Sequence, residues 1–470
     1  MRTNALTADL HYLELTELAA RIKSREISSE EVTCAQLNRI AALDDVFGSY
    51  ALVMADVAMA QAELAEAEIA AGRYRGPLHG VPIAVKDLCW TKGFPTAAGM
   101  AIYKDWRPEE DATVVRRLRE AGAVLLGKLQ LTEGAYSDYH PSVTPPKNPW
   151  NPDYWPGISS SGPAVATAAG LCYGTLGSDT GGSIRWPCAA NGVTGIKPTW
   201  GRISRYGVFE LAATLDHVGT IARSAVDAAV MLAAIAGSDP KDPTALLNPV
   251  PDYLAAAGQD VLGLRIGVDA EWNSIDVDPM IQAVLSEAID AFRLMGAGII
   301  NVRFPDVTQT IADWVPNCAV EAAVAHEVTY PARKEEYGPV LASVLKAGGL
   351  LSGCDYQKIL LRRMDLRGRV AALFDTIDLL LVPVHPFSPP TLAMIGAMGA
   401  QPELIARLQR YTCPFNMTGN PTITLPGGFT DAGLPIAFQL VAANLGEATL
   451  VRAGAAFQRI TPWHRRYPIA

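Results

Sequence analysis

The chain has 470 residues, 49% of them hydrophobic and 19% charged, which is ample material for a large core. A net charge of −9 without a basic block speaks against nucleic acid as a direct ligand. No apolar run reaches the roughly 18 residues that a membrane span needs, and the N-terminus shows no signal-peptide core; seven scattered cysteines without a C-x-x-C pair read as free thiols in a reducing, cytoplasmic setting.

Residues 12–42 read as helices, with Ser28-Ser-Glu-Glu31 forming a capping box before an apolar-periodic run. Phe47 to Val53 is expected as a strand, and the Ala/Glu-rich run Ala55 to Gly72 as a helix. Val81 to Val85 is apolar throughout and predicts a buried strand that ends on Lys86 and Asp87. Asp111 is expected to cap a helix through Glu120, with Gly122 as its stop and Ala123–Leu126 as the next strand. Gly122 to Lys128 nearly spells a phosphate-binding loop. Its four central residues are apolar, however, and Leu129 stands where the magnesium-binding hydroxyl belongs, so nucleotide binding is rejected. Residues 138–157, rich in Pro, Asn, Tyr and Trp, read as a loop.

Ser224 to Ala236 predicts a helix, with Asp227 completing its cap and Gly237 ending it. The proline-bearing stretch 238–252 is the best candidate boundary and reads as a surface connection. Leu264–Val268, Pro279–Met295 and Ile299–Arg303 spell a β-α-β unit with Asp278 as N-cap and Gly296 past the helix end. Residues 310–376 are mostly helical, and Asp378–Val382 is a buried strand. Thr422–Leu425 and Pro435–Val441 form a hairpin across G-G-F-T-D-A-G, and Glu447–Ile460 closes the chain as a helix. Alternating strands and helices argue for the α/β class.

The chemistry concentrates between Trp155 and Pro187. Ser159, Ser160 and Ser161 stand between Gly157 and Gly162, and Ser183 follows Gly181-Gly182, 24 residues after Ser159. Glycine lets the backbone bend so that a reacting group comes close. Successive N–H groups turned one way cradle negative charge, and a serine at the end of such a cradle is placed as a nucleophile beside its own oxyanion hole. The apolar segment Ala164 to Leu171 between the serine sites predicts a buried helix, which a flexible linker would not carry. No histidine lies in this stretch. A lysine whose charge is disfavoured by burial is the other activator, and Lys86 at the end of its strand supplies one.

Several strings resemble the amidase signature hydrolases in that family's order: G-V-P-I-A-V-K-D (80–87), G-I-S-S-S-G-P-A (157–164), G-S-D-T-G-G-S-I-R-W-P (177–187) and G-V-T-G-I-K-P-T-W-G-R-I-S-R-Y-G (192–207). N-P-T-I-T-L-P-G-G (420–428) and G-L-P-I-A-F-Q-L-V (433–441) extend the likeness over nearly the whole chain, most weakly between 240 and 420. The resemblance implies one α/β domain over 1–470, a mixed twisted sheet flanked by helices on both faces. Within it, 1–72 is an N-terminal helical segment, 75–225 the catalytic core, and 260–470 the rest of the sheet and the pocket loops.

It further implies hydrolysis of linear amides through an acyl-enzyme, with esters and carbamates within reach. Ser183 matches the nucleophile, Ser159 the bridging serine and Lys86 the base. The backbone N–H groups of Thr180, Gly181, Gly182 and Ser183 match the oxyanion hole. Asp179 and Arg185 are expected to hold the turn, and Ser160 to support the lysine. Asp87 and Cys188 are read as structural. No cofactor and no metal are expected. The partner is a small amide, with no nucleic acid or membrane bound directly, and a homodimer is compatible with the reading.

Two departures stand out. Ile158 replaces the family's Gly before the bridging serine, at a peptide bond that is cis in the family, so either that bond is cis here or the local geometry differs. Thr220 replaces a Pro. The aromatics Tyr136, Tyr139, Trp150, Tyr154 and Trp155, with His140 and Ile158, suggest a pocket for a neutral hydrophobic or aryl amide; Tyr136, Trp155 and Ile158 are its chosen walls. The alternative is the amidase component of a tRNA-dependent amidotransferase, which G-S-D-T-G-G-S-I-R, I-S-R-Y-G and A-G-S-D-P-K-D also resemble. The C-terminal half lacks the expected glutamine-pocket pattern.

Overall fold

Eleven strands pair into one mixed sheet in a computed structural model that describes residues 10–468. The strands are β1 (Tyr50–Val53), β2 (Pro82–Lys86), β3 (Val124–Leu129), β4 (Gly174–Asp179), β5 (Thr194–Lys197), β6 (His217–Ala222), β7 (Arg265–Val268), β8 (Gly298–Asn301), β9 (Leu379–Pro383), β10 (Thr422–Phe429) and β11 (Pro435–Ala442). Their order across the sheet is β1-β3-β2-β4-β6-β5-β10-β11-β9-β7-β8. β2 runs parallel to both β3 and β4, and β7 parallel to both β8 and β9, while the other neighbours are antiparallel. Helices cover both faces, so the strands β2 to β6 are buried at every residue, as strands of an α/β sheet covered on both sides are. Among the described residues no helix is long and apolar enough to cross a membrane.

The β-α-β unit of β7, helix Pro279–Leu294 and β8 forms as its pattern predicts, with Asp278 accepting from Met280 N at the helix start. Other expectations shift. Phe47 is the last residue of the helix Ser29–Phe47, and Gly48 ends that helix in the left-handed region, so β1 starts only at Tyr50. Asp111 does not cap the next helix. Ala112 occupies that position, and the Asp111 carboxylate accepts from Lys92 N and pairs with Arg119.

Ser224 alone caps the helix Ala225–Ile235. The Asp227 carboxylate instead accepts from Leu15 N (2.9 Å) and Thr16 N (3.0 Å), capping the first turn of the N-terminal helix Leu15–Lys23 from across the fold. The hairpin strands are longer than their apolar runs, with Gly427 and Gly428 inside β10 and not in the turn.

The stretch that mimics a phosphate loop is β3 itself. A Cβ on Gly127 would lie 2.1 Å from the Leu52 carbonyl of β1, so glycine serves close strand approach there. Lys128 turns inward onto Asp87 at 2.9 Å, with both side chains nearly inaccessible. That contact, and the hydrogen bond from Ala97 N, give Asp87 the structural role expected of it.

Candidate active site

β2 and β4 are parallel neighbours, Val85 opposite Leu176, so their C-terminal ends arrive side by side. Lys86 ends one strand, and Ser178 and Asp179 end the other. The loop 157–160 lies over both before the helix Ser161–Ala168 begins. The bend is built by Gly157 at φ 78°, where a Cβ would sit 2.4 Å from Pro187 Cα. The Ile158–Ser159 peptide is cis.

Lys86 is inaccessible to solvent, and its Nζ contacts three hydroxyls: Ser159 Oγ at 2.7 Å, Ser160 Oγ at 2.9 Å and Ser178 Oγ at 2.9 Å. No carboxylate touches it among the described residues. Burial lowers its pKa from 10.5 to about 7. Hydroxyls suit either form of the amine, because they accept from N–H and donate to a lone pair. Ser160 also donates to Ser178 O at 3.1 Å. Ser178 was not singled out in the sequence, although it stands inside G-S-D-T-G-G-S.

Past β4 the chain turns through Thr180-Gly181-Gly182 to Ser183, which keeps 7% of its surface exposed. Asp179 organises this turn. Its carboxylate accepts from Gly182 N (2.9 Å), Ile184 N (3.0 Å), Arg185 Nε (3.0 Å) and Nη2 (2.8 Å), and Asn416 Nδ2 (2.9 Å). Burial alone would raise its pKa, but the Arg185 guanidinium outweighs that and holds it well below the usual carboxylate range. Asp179 and Arg185 are thus paired within the turn, and Asn416 joins them from outside it.

The Gly182 hydrogen is committed to Asp179, which narrows the expected cradle. The N–H groups of Thr180, Gly181 and Ser183 make no hydrogen bond among the described residues. The Ser183 hydroxyl likewise makes none, and the chain of hydrogen bonds from Lys86 stops at Ser159. Cys188 is fully buried, and burial pushes its thiol pKa well up, as befits a spectator.

The pocket candidates separate into two places. Trp155 and Ile158 share one apolar cluster with Trp186, Phe387, Leu404 and Ile405, in which the Trp155 and Trp186 rings lie 6.2 Å apart. Tyr136 packs instead against the main core, where burial raises its phenol pKa and Cys318 and Cys413 are its neighbours. Trp150 donates to Asn191 O and packs on Phe429, and Tyr154 pairs with Thr391, so these two tie down the loop. Tyr139 bonds Ser161 Oγ, and His140 bonds Ser142 near the surface. Thr220 donates to Ala228 O from the buried strand β6.

With this geometry in view, comparison with known proteins is direct. The chain belongs to the amidase signature family: the family model Amidase matches residues 31–451. A relative named Putative amidase AmiD, from Mycobacterium bovis, is 51% identical over 97% of this chain and 96% of its own length. A glutamyl-tRNA(Gln) amidotransferase subunit of Moorella thermoacetica is 39% identical over 98% of this chain and 99% of its own. Among solved structures, 6-aminohexanoate cyclic dimer hydrolase superposes with a TM-score of 0.88 at 26% identity, covering 97% of this chain and 99% of that one. A bacterial aryl acylamidase superposes with a TM-score of 0.87 at 25% identity, covering 97% of each. The protein is therefore an amidase signature hydrolase that cleaves carbon–nitrogen amide bonds.

Proposed function

We propose that the chain acts alone on neutral, open-chain hydrophobic or aryl amides through a Ser183–Ser159–Lys86 relay. The observation that carries this reading is the Lys86 Nζ–Ser159 Oγ contact of 2.7 Å in a site of hydroxyls without a carboxylate. Neutral Lys86 takes the Ser159 proton while Ser159 takes that of Ser183. Ser183 Oγ bonds to the amide carbon, and the oxyanion settles on the N–H groups of Thr180, Gly181 and Ser183. The proton held on Lys86 returns through Ser159 to the nitrogen as the C–N bond breaks. Water then enters by the same relay, giving the acid and free Ser183, and no cofactor takes part.

The apolar cluster around Trp155 and Ile158 adjoins Ser159 in sequence and supports bulky apolar substrates. The aryl acylamidase neighbour agrees with that preference, whereas the cyclic dimer hydrolase shows that the same fold also accommodates a cyclic amide. Esters and carbamates are expected as side activities. All seven cysteines are free, which supports a reducing, cytoplasmic setting.

The second reading, a component of a tRNA-dependent amidotransferase, is favoured by the 39% identity to the Moorella protein. Assay of the purified chain alone separates the two. An anilide should exceed acetamide and glutamine in kcat/KM, and Trp155→Ala, in the apolar cluster beside Ser159, should narrow the gap. A preference for glutamine would refute the apolar pocket and move the chain to the second reading. An unchanged gap in Trp155→Ala would remove that residue from the pocket.

A further inference from the structure

The cradle beside Ser183 is gripped from outside its own motif. On the helix Thr308–Ala325, Trp314 donates its indole Nε1–H to the Thr180 carbonyl at 2.9 Å. Its ring lies flat against the turn: a Cβ on Gly181 would fall 2.5 Å from Trp314 Cζ2 and 2.8 Å from Cε2. At the start of the helix Cys413–Met417, Cys413 Sγ faces the next carbonyl, Gly181 O, at 3.4 Å. Thr180 Oγ1 donates to Asp216, which in turn accepts from Leu211 N and Ala212 N.

A trans peptide is planar, and its C=O and N–H point to opposite sides. Drawing the Thr180 carbonyl toward the indole therefore turns the Gly181 N–H the other way. Likewise, the Gly181 carbonyl faces Cys413 while the Gly182 N–H reaches Asp179. Consecutive peptides are thus held in alternating orientations, one hydrogen free and the next committed. Unheld, a diglycine turn could rotate either peptide at little cost.

We propose that Trp314 is the positioning residue of the oxyanion hole: its N–H bond to Thr180 O aims the Gly181 N–H at the developing oxyanion. Trp314 touches no reacting atom, and its role rests on the reading of Ser183 as nucleophile. The energetic consequence belongs to the transition state. A donor aimed beforehand needs no reorganisation when charge develops, while the ground-state amide, a weaker acceptor, gains less from it.

The experiment compares the wild-type enzyme with Trp314→Phe, which keeps an aromatic ring and loses the donor. A second variant carries benzothienylalanine at position 314, which preserves the shape of indole and replaces its N–H by sulfur. Anilide kcat should fall about tenfold, less than the loss from deleting a hole donor outright, with KM within about twofold. A trifluoromethyl ketone analogue, whose adduct with serine places an oxyanion in the hole, should lose affinity by the same factor. A non-reactive amide analogue should bind as before. A packing role alone would not make kcat and ketone affinity fall together while KM and amide affinity stay.

A fluorophosphonate label, located by peptide mass spectrometry in the wild type, separates the two layers. Labelling at Ser183 with unchanged kcat and ketone affinity in the benzothienyl variant overturns the inference alone. Labelling confined to another serine overturns the nucleophile assignment and the inference with it.

Discussion

Two buried lysines lie at the C-terminal ends of neighbouring strands, Lys86 last in β2 and Lys128 last but one in β3, and their surroundings differ in one respect. Lys86 on β2 meets three serine hydroxyls, whereas Lys128 on β3 meets Asp87 at 2.9 Å and Thr96 Oγ1 at 2.8 Å. Both are inaccessible to solvent. A carboxylate compensates an ammonium, and the pair then ties two strands together as a fixed ion pair. Hydroxyls compensate it far less, so burial can act and Lys86 falls to about 7, where it exchanges a proton near neutrality. In the proposed relay, a buried lysine is a base because of what is left out of its surroundings. Strand patterning alone does not separate the two; only the string G-V-P-I-A-V-K-D (80–87) singles out Lys86.

The contrast can be broken most strongly at Lys86. Lys86→Ala should lose about 10²–10⁴-fold in kcat, the worth of a positioned base, while its circular dichroism and melting stay near wild type. A near-normal kcat would end the relay. The converse change, Lys128→Met, should leave Asp87 buried and uncompensated and cost about 3–5 kcal/mol of stability, read by urea unfolding. The folded fraction should keep kcat within a few-fold. Adding Asp87→Leu should restore much of the stability, since apolar pairs often replace buried ion pairs without loss.

Ser178→Asp would make the Lys86 site resemble that of Lys128. A carboxylate beside Nζ raises the lysine pKa, so kcat/KM at pH 7 should fall about fivefold or more and its acid limb should move upward by at least about one unit. A full-rate variant with an unmoved limb would show that hydroxyl surroundings are not what keeps Lys86 a base. The smallest effect is expected from Ser178→Ala. Removing one hydroxyl that stabilises the ammonium should shift the acid limb downward by a few tenths of a unit, with kcat lowered less than about tenfold. An upward shift would contradict the assigned role of Ser178.

How much of this was readable follows the range over which each feature is encoded. The strand before Lys86 and the Gly181-Gly182-Ser183 turn are local, and the family strings pointed to the triad directly. β4 and β6 escaped a periodicity reading, because glycines stand where apolar residues would announce a strand. Gly177 and Gly219 face Ile184 so closely that a Cβ on either would crowd it, and one on Gly219 would lie 2.1 Å from Ile196 O. β5, only Thr194–Lys197, was too short to show a pattern. Asp111 and Asp227 look like caps by spacing, yet Asp111 is taken by Lys92 N and Arg119, and Asp227 by Leu15 N and Thr16 N, 212 and 211 residues away, which no local rule weighs.

Trp314 and Asn416 lie 134 and 237 residues from the turn they grip, in the region where the family likeness is weakest. A tryptophan in a predicted helix reads as core, and here that reading misses its N–H. The commitment of Gly182 to Asp179 was equally invisible, since a glycine's hydrogen-bond partner leaves no mark in composition.

Activation of Ser183 by neutral Lys86 can be read from the rate at which a fluorophosphonate labels Ser183 as a function of pH, in wild type and in Lys86→Met. A base works once its proton has left, so the wild-type rate should rise through an inflection near pH 7 and flatten above about pH 8, following the lowered pKa. The Lys86→Met enzyme should label at least about 10²-fold more slowly with no inflection. Equal labelling rates in the two proteins, or a wild-type rate that does not change between about pH 5 and about pH 9, would rule out Lys86 as the base that activates Ser183.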